Sequence, residues 1–164
     1  KFDWSEKLVG YSLGFIGLLA AIVQGGLIRV IIPKLGNVKS VYFGMIFYIL
    51  GLSLFTLAEE GWMVFAFSIP LSLGGISGPA LQGIMTNKIP DDQQGEFQGG
   101  MTSLISLTAI IGPLLMTNLF SYFTSENSFY YFPGAPFMVA AIISFFGLII
   151  AVRFLSGSKE GSNI

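Results

Sequence analysis

Gln24, Gln82 and Ser106 are neutral polar side chains set inside apolar runs. A carboxamide both donates and accepts hydrogen bonds, and so does a hydroxyl. Buried in an apolar phase, such groups need partners. The partner can be a bound molecule or a neighbouring helix. A bond between membrane helices averages about 0.6 kcal/mol. Serine and threonine have a third option, bonding back to their own helix, which applies to Ser103, Ser106 and Thr108. The carboxylates Asp91, Asp92 and Glu96 form one cluster, next to Gln93, Gln94 and Gln98. Histidine and cysteine are both absent. That removes the commonest general base and metal ligand, together with disulfide, zinc and thiol chemistry. No metal, no cofactor and no enzymatic reaction are expected, and without a basic stripe no nucleic acid is expected either.

The elements that must hold these groups follow from composition. Hydrophobic residues make up 53% of the 164 and charged residues 10%, and mean hydropathy is +0.76. Soluble domains carry about 25% charged residues, so this chain cannot cover a globule with solvated groups. A helix needs about 20 mainly apolar residues to cross a bilayer. Five segments meet that length, at about 8–32, 41–58, 62–86, 98–123 and 137–155. They are too long, and lack the alternation, for barrel strands. The expected fold is all-α, a polytopic membrane helix bundle over residues 1–155 with a polar tail, SGSKEGSNI, at 156–164. The opening KFDWSEKLVG has no initiator Met and no signal-peptide order, and reads as a chain entered within a polar loop.

Basic residues orient the spans. Arg29, Lys34, Lys39, Lys88, Arg153 and Lys159 fall on one side, and Lys1 and Lys7 on the other. Six against two predicts a cytoplasmic C-terminus. Trp4, Trp62, Tyr122, Tyr130 and Tyr131 then mark the outer boundary, as an aromatic belt does. Arg29 is placed to snorkel into the inner headgroup layer, with an ion pair to the Asp91–Asp92 loop as the alternative.

The glycines and prolines concentrate in GGISGPALQGIMTNKIPDDQQGEFQGG, residues 74–100. Gly74 and Gly78 are four apart, a spacing that lets helices approach closely in lipid. Pro79 removes an amide donor and bends the third span, and Gly112–Pro113 repeats the device in the fourth. These positions are expected to pack, and to bend during function.

The segment EGWMVFAFSIPLSLGGISGPALQGIMTNKIPDDQQGEFQG, followed by SLTAIIGPLL, resembles the tetracycline-resistance branch of the major facilitator superfamily. The likeness runs through nearly the whole chain, with GPALQG, QQGEFQG and IIGPLL its most specific pieces. It implies that the five spans correspond to helices 8–12 of a twelve-helix transporter, with the seventh helix and the N-terminal half of the same protein missing from this sequence and the latter acting as its partner. It further implies a multi-pass protein of the inner (plasma) membrane that exchanges a small-molecule drug for protons. The first, third and fourth spans would line the cavity. Gln24, where the family keeps a glutamine, would then face the drug, with Gln82 nearer the cytoplasmic mouth and Ser106 on the fourth span. Phe65 or Phe67 would line the cavity wall.

Three departures accompany the resemblance. RVIIPKLGNVKS keeps Lys34, Gly36 and Lys39 of a loop motif but not its acidic residue. Ala20 and Tyr48 stand where related pumps can carry a histidine and an aspartate. No Asp or Glu lies deep in any span, whereas proton-coupling groups in membranes are ionisable. The coupling group is therefore expected in the other half. The competing readings are a family member exporting another amphipathic compound or metabolite, and a stand-alone membrane scaffold.

Overall fold

The computed structural model describes residues 4–125 and 128–157. Lys1, Lys159 and most of the expected tail lie outside them. Among the described residues every regular element is helical, and the helices form five rods long and apolar enough to cross a membrane.

The first rod is α1 (Glu6–Ile22), a π-helical turn (Val23–Leu27) and α2 (Ile28–Leu35). Ser5 caps it, accepting from the Leu8 amide at 3.4 Å, with Glu6 in the first turn, where an acid complements the helix dipole. Gly36 alone separates α2 from α3 (Asn37–Thr56). Its φ of 78° and ψ of 158° belong to a region open essentially only to glycine. The third rod is α4 (Gly61–Leu73), a 3-10 turn (Gly74–Ile76) and α5 (Ser77–Thr86). A 3-10 turn at Asp91–Gln93 leads into α6 (Gln94–Thr124), and α7 (Ala135–Gly157) closes the fold.

α3 is the hub. It packs on α2, α4, the Gly74–Ile76 turn, α5 and α7. Against α7 it runs antiparallel: Phe55 stacks on Phe137 at 5.4 Å at one end, and Tyr42 meets Ser156, hydroxyl to hydroxyl at 3.4 Å, at the other. Against the third rod the contact is backbone-close. A β-carbon on Gly44 would stand 2.5 Å from the Ser77 amide nitrogen, and one on Gly51 2.7 Å from the Leu71 Cα. With lipid as solvent, small residues let helices gain dispersion contact that apolar bulk alone does not supply. The interior accordingly uses Ser40, Ser68, Ala58, Ala80, Ala135 and Ala141 beside Val41 and Ile76. Ser68 and Thr56 return their hydroxyl protons to the Val64 and Leu52 carbonyls, as membrane-helix hydroxyls do. Ser40 Oγ is the buried exception, with no hydrogen-bond partner.

The irregular turn in the third rod follows from Pro79. A proline lacks the amide that would bond the carbonyl four residues back and crowds that carbonyl. Here that residue is Gly75, in the middle of the 3-10 turn. The turn also sets the packing face. Residues three apart align in a 3-10 helix, so Leu71, Gly74 and Ser77 all meet α3.

Gly78 departs from the expected pairing with Gly74. It is exposed, and a β-carbon on it would meet no atom within 4 Å. Three residues at 3.0 rather than 3.6 per turn advance the face by roughly 60°, which carries Gly78 off the contact. Gly112–Pro113 lies within an uninterrupted helix. α6 continues through Pro113, and Gly112 likewise meets nothing within 4 Å. Close packing is confined to α3 and its neighbours. Gly10, Gly14, Gly17, Gly25, Gly26, Gly95 and Gly99 have open space on their β-carbon side. No α6 residue is buried, and α6 touches mainly α7 and the turn preceding it.

Candidate functional site

Two departures from α geometry meet midway along the first and third rods. The π turn at Val23–Leu27 packs on the 3-10 turn at Gly74–Ile76. Val23 (3% exposed) and Ile76 (0%) are both buried there. π turns are rare, appear mostly as single-turn bulges within α-helices, and are frequent at functional sites. The Ile28 amide bonds the Val23 carbonyl, five residues back, which marks the widened turn. Gln24, Gly25 and Gly26 form its outer side, and all three are exposed. Gln24 is thus next to the contact of the two turns and faces away from it, without a side-chain hydrogen bond. The sequence held one hint: Gly25 and Gly26 follow the glutamine directly, and glycine weakens α geometry.

Gln82, on α5, lies closer to the α5–α6 loop. Its Nε2 donates to Oε1 of Gln98 on α6 at 3.4 Å. Neither amide was expected to find the other, because the two positions are on different rods and only tertiary placement pairs them. Ser106 is exposed on α6 and makes no side-chain hydrogen bond, whereas Ser103 and Thr108 bond back to Gly99 and Ile105. Gln24, Gln82 and Ser106 are not bonded to one another. Arg29 is exposed on α2 and has no ion pair with Asp91 or Asp92. Asp91 instead accepts from Gln94 Nε2 at 3.1 Å.

Gly74 is buried against α3, where a β-carbon would stand 2.6 Å from Tyr48 Cβ. Pro79 is exposed on α5, one residue beyond Gly78. Phe65 packs on Phe15 at 5.4 Å and on Trp4 at 5.9 Å, and Phe67 on Phe55 at 6.3 Å. A cavity of about 300 Å³ at this end is lined by Trp4, Phe55, Phe120 and Phe137, among others. Trp62, Tyr122, Tyr130 and Tyr131 cluster there too, all exposed, at rod ends or in the α6–α7 loop. Gly134 joins the loops at this end, a β-carbon on it running into the Thr56 carbonyl.

The family model for the Major Facilitator Superfamily matches residues 1–163. The chain is 37% identical over 121 residues to the class C tetracycline resistance protein of Escherichia coli, covering 74% of this chain and 31% of that one. It is 38% identical over 145 residues to the class E protein of Escherichia coli, covering 87% and 36%. It is 32% identical over 151 residues to the class H protein of Pasteurella multocida, covering 92% and 36%. The chain spans about a third of the length of these curated relatives. No solved structure matches it. The chain belongs to the Major Facilitator Superfamily, within its tetracycline-resistance branch.

Proposed function

We propose that the chain forms part of a proton-driven antiporter that exports a tetracycline-like drug across the plasma membrane, with its C-terminus in the cytoplasm. One observation supports this above the others. The π turn of the first rod packs on the 3-10 turn of the third midway along both, beside the exposed amide of Gln24. Backbone leaves α geometry within a membrane where protein or a cavity meets the freed groups. Interrupted helices near the midplane build the substrate sites of many secondary transporters. On this reading Gln24 contacts the drug within largely apolar walls. Gln82 and Ser106 contribute nearer the other rods, and α6 turns its open face to the remainder of the transporter. The spans hold no carboxylate at depth, so the proton-coupling group comes from that remainder.

Everted vesicles carrying the full-length protein test the reading. Tetracycline should accumulate when a proton gradient is imposed, and collapse of the gradient should release it. No gradient-driven movement of tetracycline or of any other drug in a panel would overturn it. The departures at Ala20 and Tyr48 support a second reading, export of a different amphipathic compound. In that case a panel drug other than tetracycline would move.

A further inference from the structure

A cavity of about 460 Å³ opens at the aromatic end of the bundle, between the end of α3 and the loop leading into α7. Glu59, Tyr130, Tyr131 and Phe132 wall it, and among the described residues no lysine or arginine lines it. Glu59 is exposed, and among the described residues its carboxylate makes no hydrogen bond or ion pair; only its backbone amide is engaged, with Met63 Sδ at 3.4 Å. α3 ends on the same cavity at Thr56, and the carbonyl end of a helix favours cations. The Tyr130 and Phe132 rings lie 6.3 Å apart with their planes inclined at 52°. Phe132 is fixed by its amide, which donates to the Phe123 carbonyl at 3.0 Å, and by edge contact with the Phe123 ring at 6.5 Å. Ser128 donates to the Tyr130 carbonyl at 2.8 Å. Ring faces attract cations as a carboxylate does, so every polar feature of this cavity favours positive charge. A groove of about 500 Å³ adjoins it between α3 and α7, lined by Ile49, Ser53, Met138, Ile142 and Phe146 among others. Thr56 and Leu57 line both spaces. From Ile49 to Leu57 the groove follows eight residues of rise, about 12 Å of helix.

We infer that one phospholipid with an ammonium headgroup, of the phosphatidylethanolamine class, occupies both spaces. Its ammonium sits between Glu59 and the rings, and an acyl chain follows the α3–α7 groove. The tyrosine hydroxyls are donors for the phosphodiester. A lipid with no ammonium would set its phosphate beside Glu59 with no cation to offset either charge. The adjoining groove favours a lipid over a soluble cation, because it is apolar and runs along two membrane-length rods. Position agrees, since tyrosines at rod ends stand at the level of the headgroups. The inference rests on the bundle being in a membrane, and neither on what the transporter exports nor on which end is cytoplasmic.

The test is lipid titration of the delipidated full-length protein, followed by native mass spectrometry. Phosphatidylethanolamine should bind more tightly than phosphatidylglycerol. Glu59→Gln should weaken phosphatidylethanolamine binding by about 5-fold, as loss of one solvent-exposed ion pair implies, and should not weaken phosphatidylglycerol binding. Ser53→Trp, which fills the groove from an exposed position, should weaken both lipids. Undiminished phosphatidylethanolamine binding by either variant overturns the inference. So does displacement of the lipid by equimolar phosphoethanolamine, which would mark a soluble-cation site. Phosphatidylethanolamine with a photoactivatable acyl chain, bound to the wild-type protein, covers the case in which the variants do not fold. Label must appear in peptides spanning 49–57 or 138–146, and label only elsewhere sinks the assignment.

Discussion

A β-carbon on Gly74 would stand 2.6 Å from the Cβ of Tyr48 and 2.8 Å from its Cα. The nearest atoms are part of the α3 backbone and the root of a side chain, so neither can swing aside. Gly74→Ala must separate the third rod from α3, and overpacking of this kind costs about 1–3 kcal/mol. Gly78→Ala meets open space within this chain. Thermal unfolding of the detergent-solubilised full-length protein should show a clear loss for Gly74→Ala and little for Gly78→Ala. The reverse order would mean that Gly78 carries the tighter contact.

Gly36 provides a different kind of glycine dependence. Its β-carbon side is open, yet its φ is 78°. Gly36→Ala should therefore act through backbone strain, costing about 1–3 kcal/mol. The α2–α3 corner is a single residue, so the strain cannot be spread along a loop. Limited proteolysis should show new cleavage at this corner, and wild-type resistance there would show that the corner relaxes at no cost.

The Gln82–Gln98 hydrogen bond joins α5 to α6, which otherwise meet little. The chain has no cysteine, so Gln82→Cys with Gln98→Cys introduces a pair without background from this region. Contact between the side-chain tips leaves the β-carbons too far apart for a direct disulfide, so a short reducible bis-thiol reagent should cross-link the pair and slow efflux, and reduction should restore it. Absence of any cross-link, with or without drug, would place the two rods further apart than described.

The π turn makes a prediction about chain length. A π turn holds an additional residue relative to α geometry. Deleting Gly25 should let the first rod become regular while keeping α1 and α2 on their present faces. Yield should fall less than twofold while transport is lost. Gln24→Ala, which leaves the turn intact, should shift the concentration dependence of drug efflux with expression unchanged. If both variants export every panel drug as wild type does, the turn and its amide serve packing alone.

Orientation has its own check. A reporter fused after Ile164 should be active in the cytoplasm, in keeping with the six basic residues expected on that side. Activity restricted to the periplasm would invert the assignment.

Five apolar stretches of membrane length, with scarcely a charge within them, could only become helices in a membrane. Unpaired backbone is too costly in hydrocarbon for other open structures, so composition and run length determined the architecture. The irregular third rod was legible only in part: Pro79 marks a missing amide, but Pro113 lacks one too and α6 runs through it as α-helix. Which glycines pack was not legible. Gly74 and Gly78 share a face only if the helix between them is α. The 3-10 turn replaced Gly78 with Ser77 at the contact, and set Gly44 and Gly51 of α3 opposite the third rod. The Gln82–Gln98 bond and the meeting of the π and 3-10 turns likewise came only from the tertiary structure. Each joins residues on different rods, and spacing along one helix carries no information about the register of two.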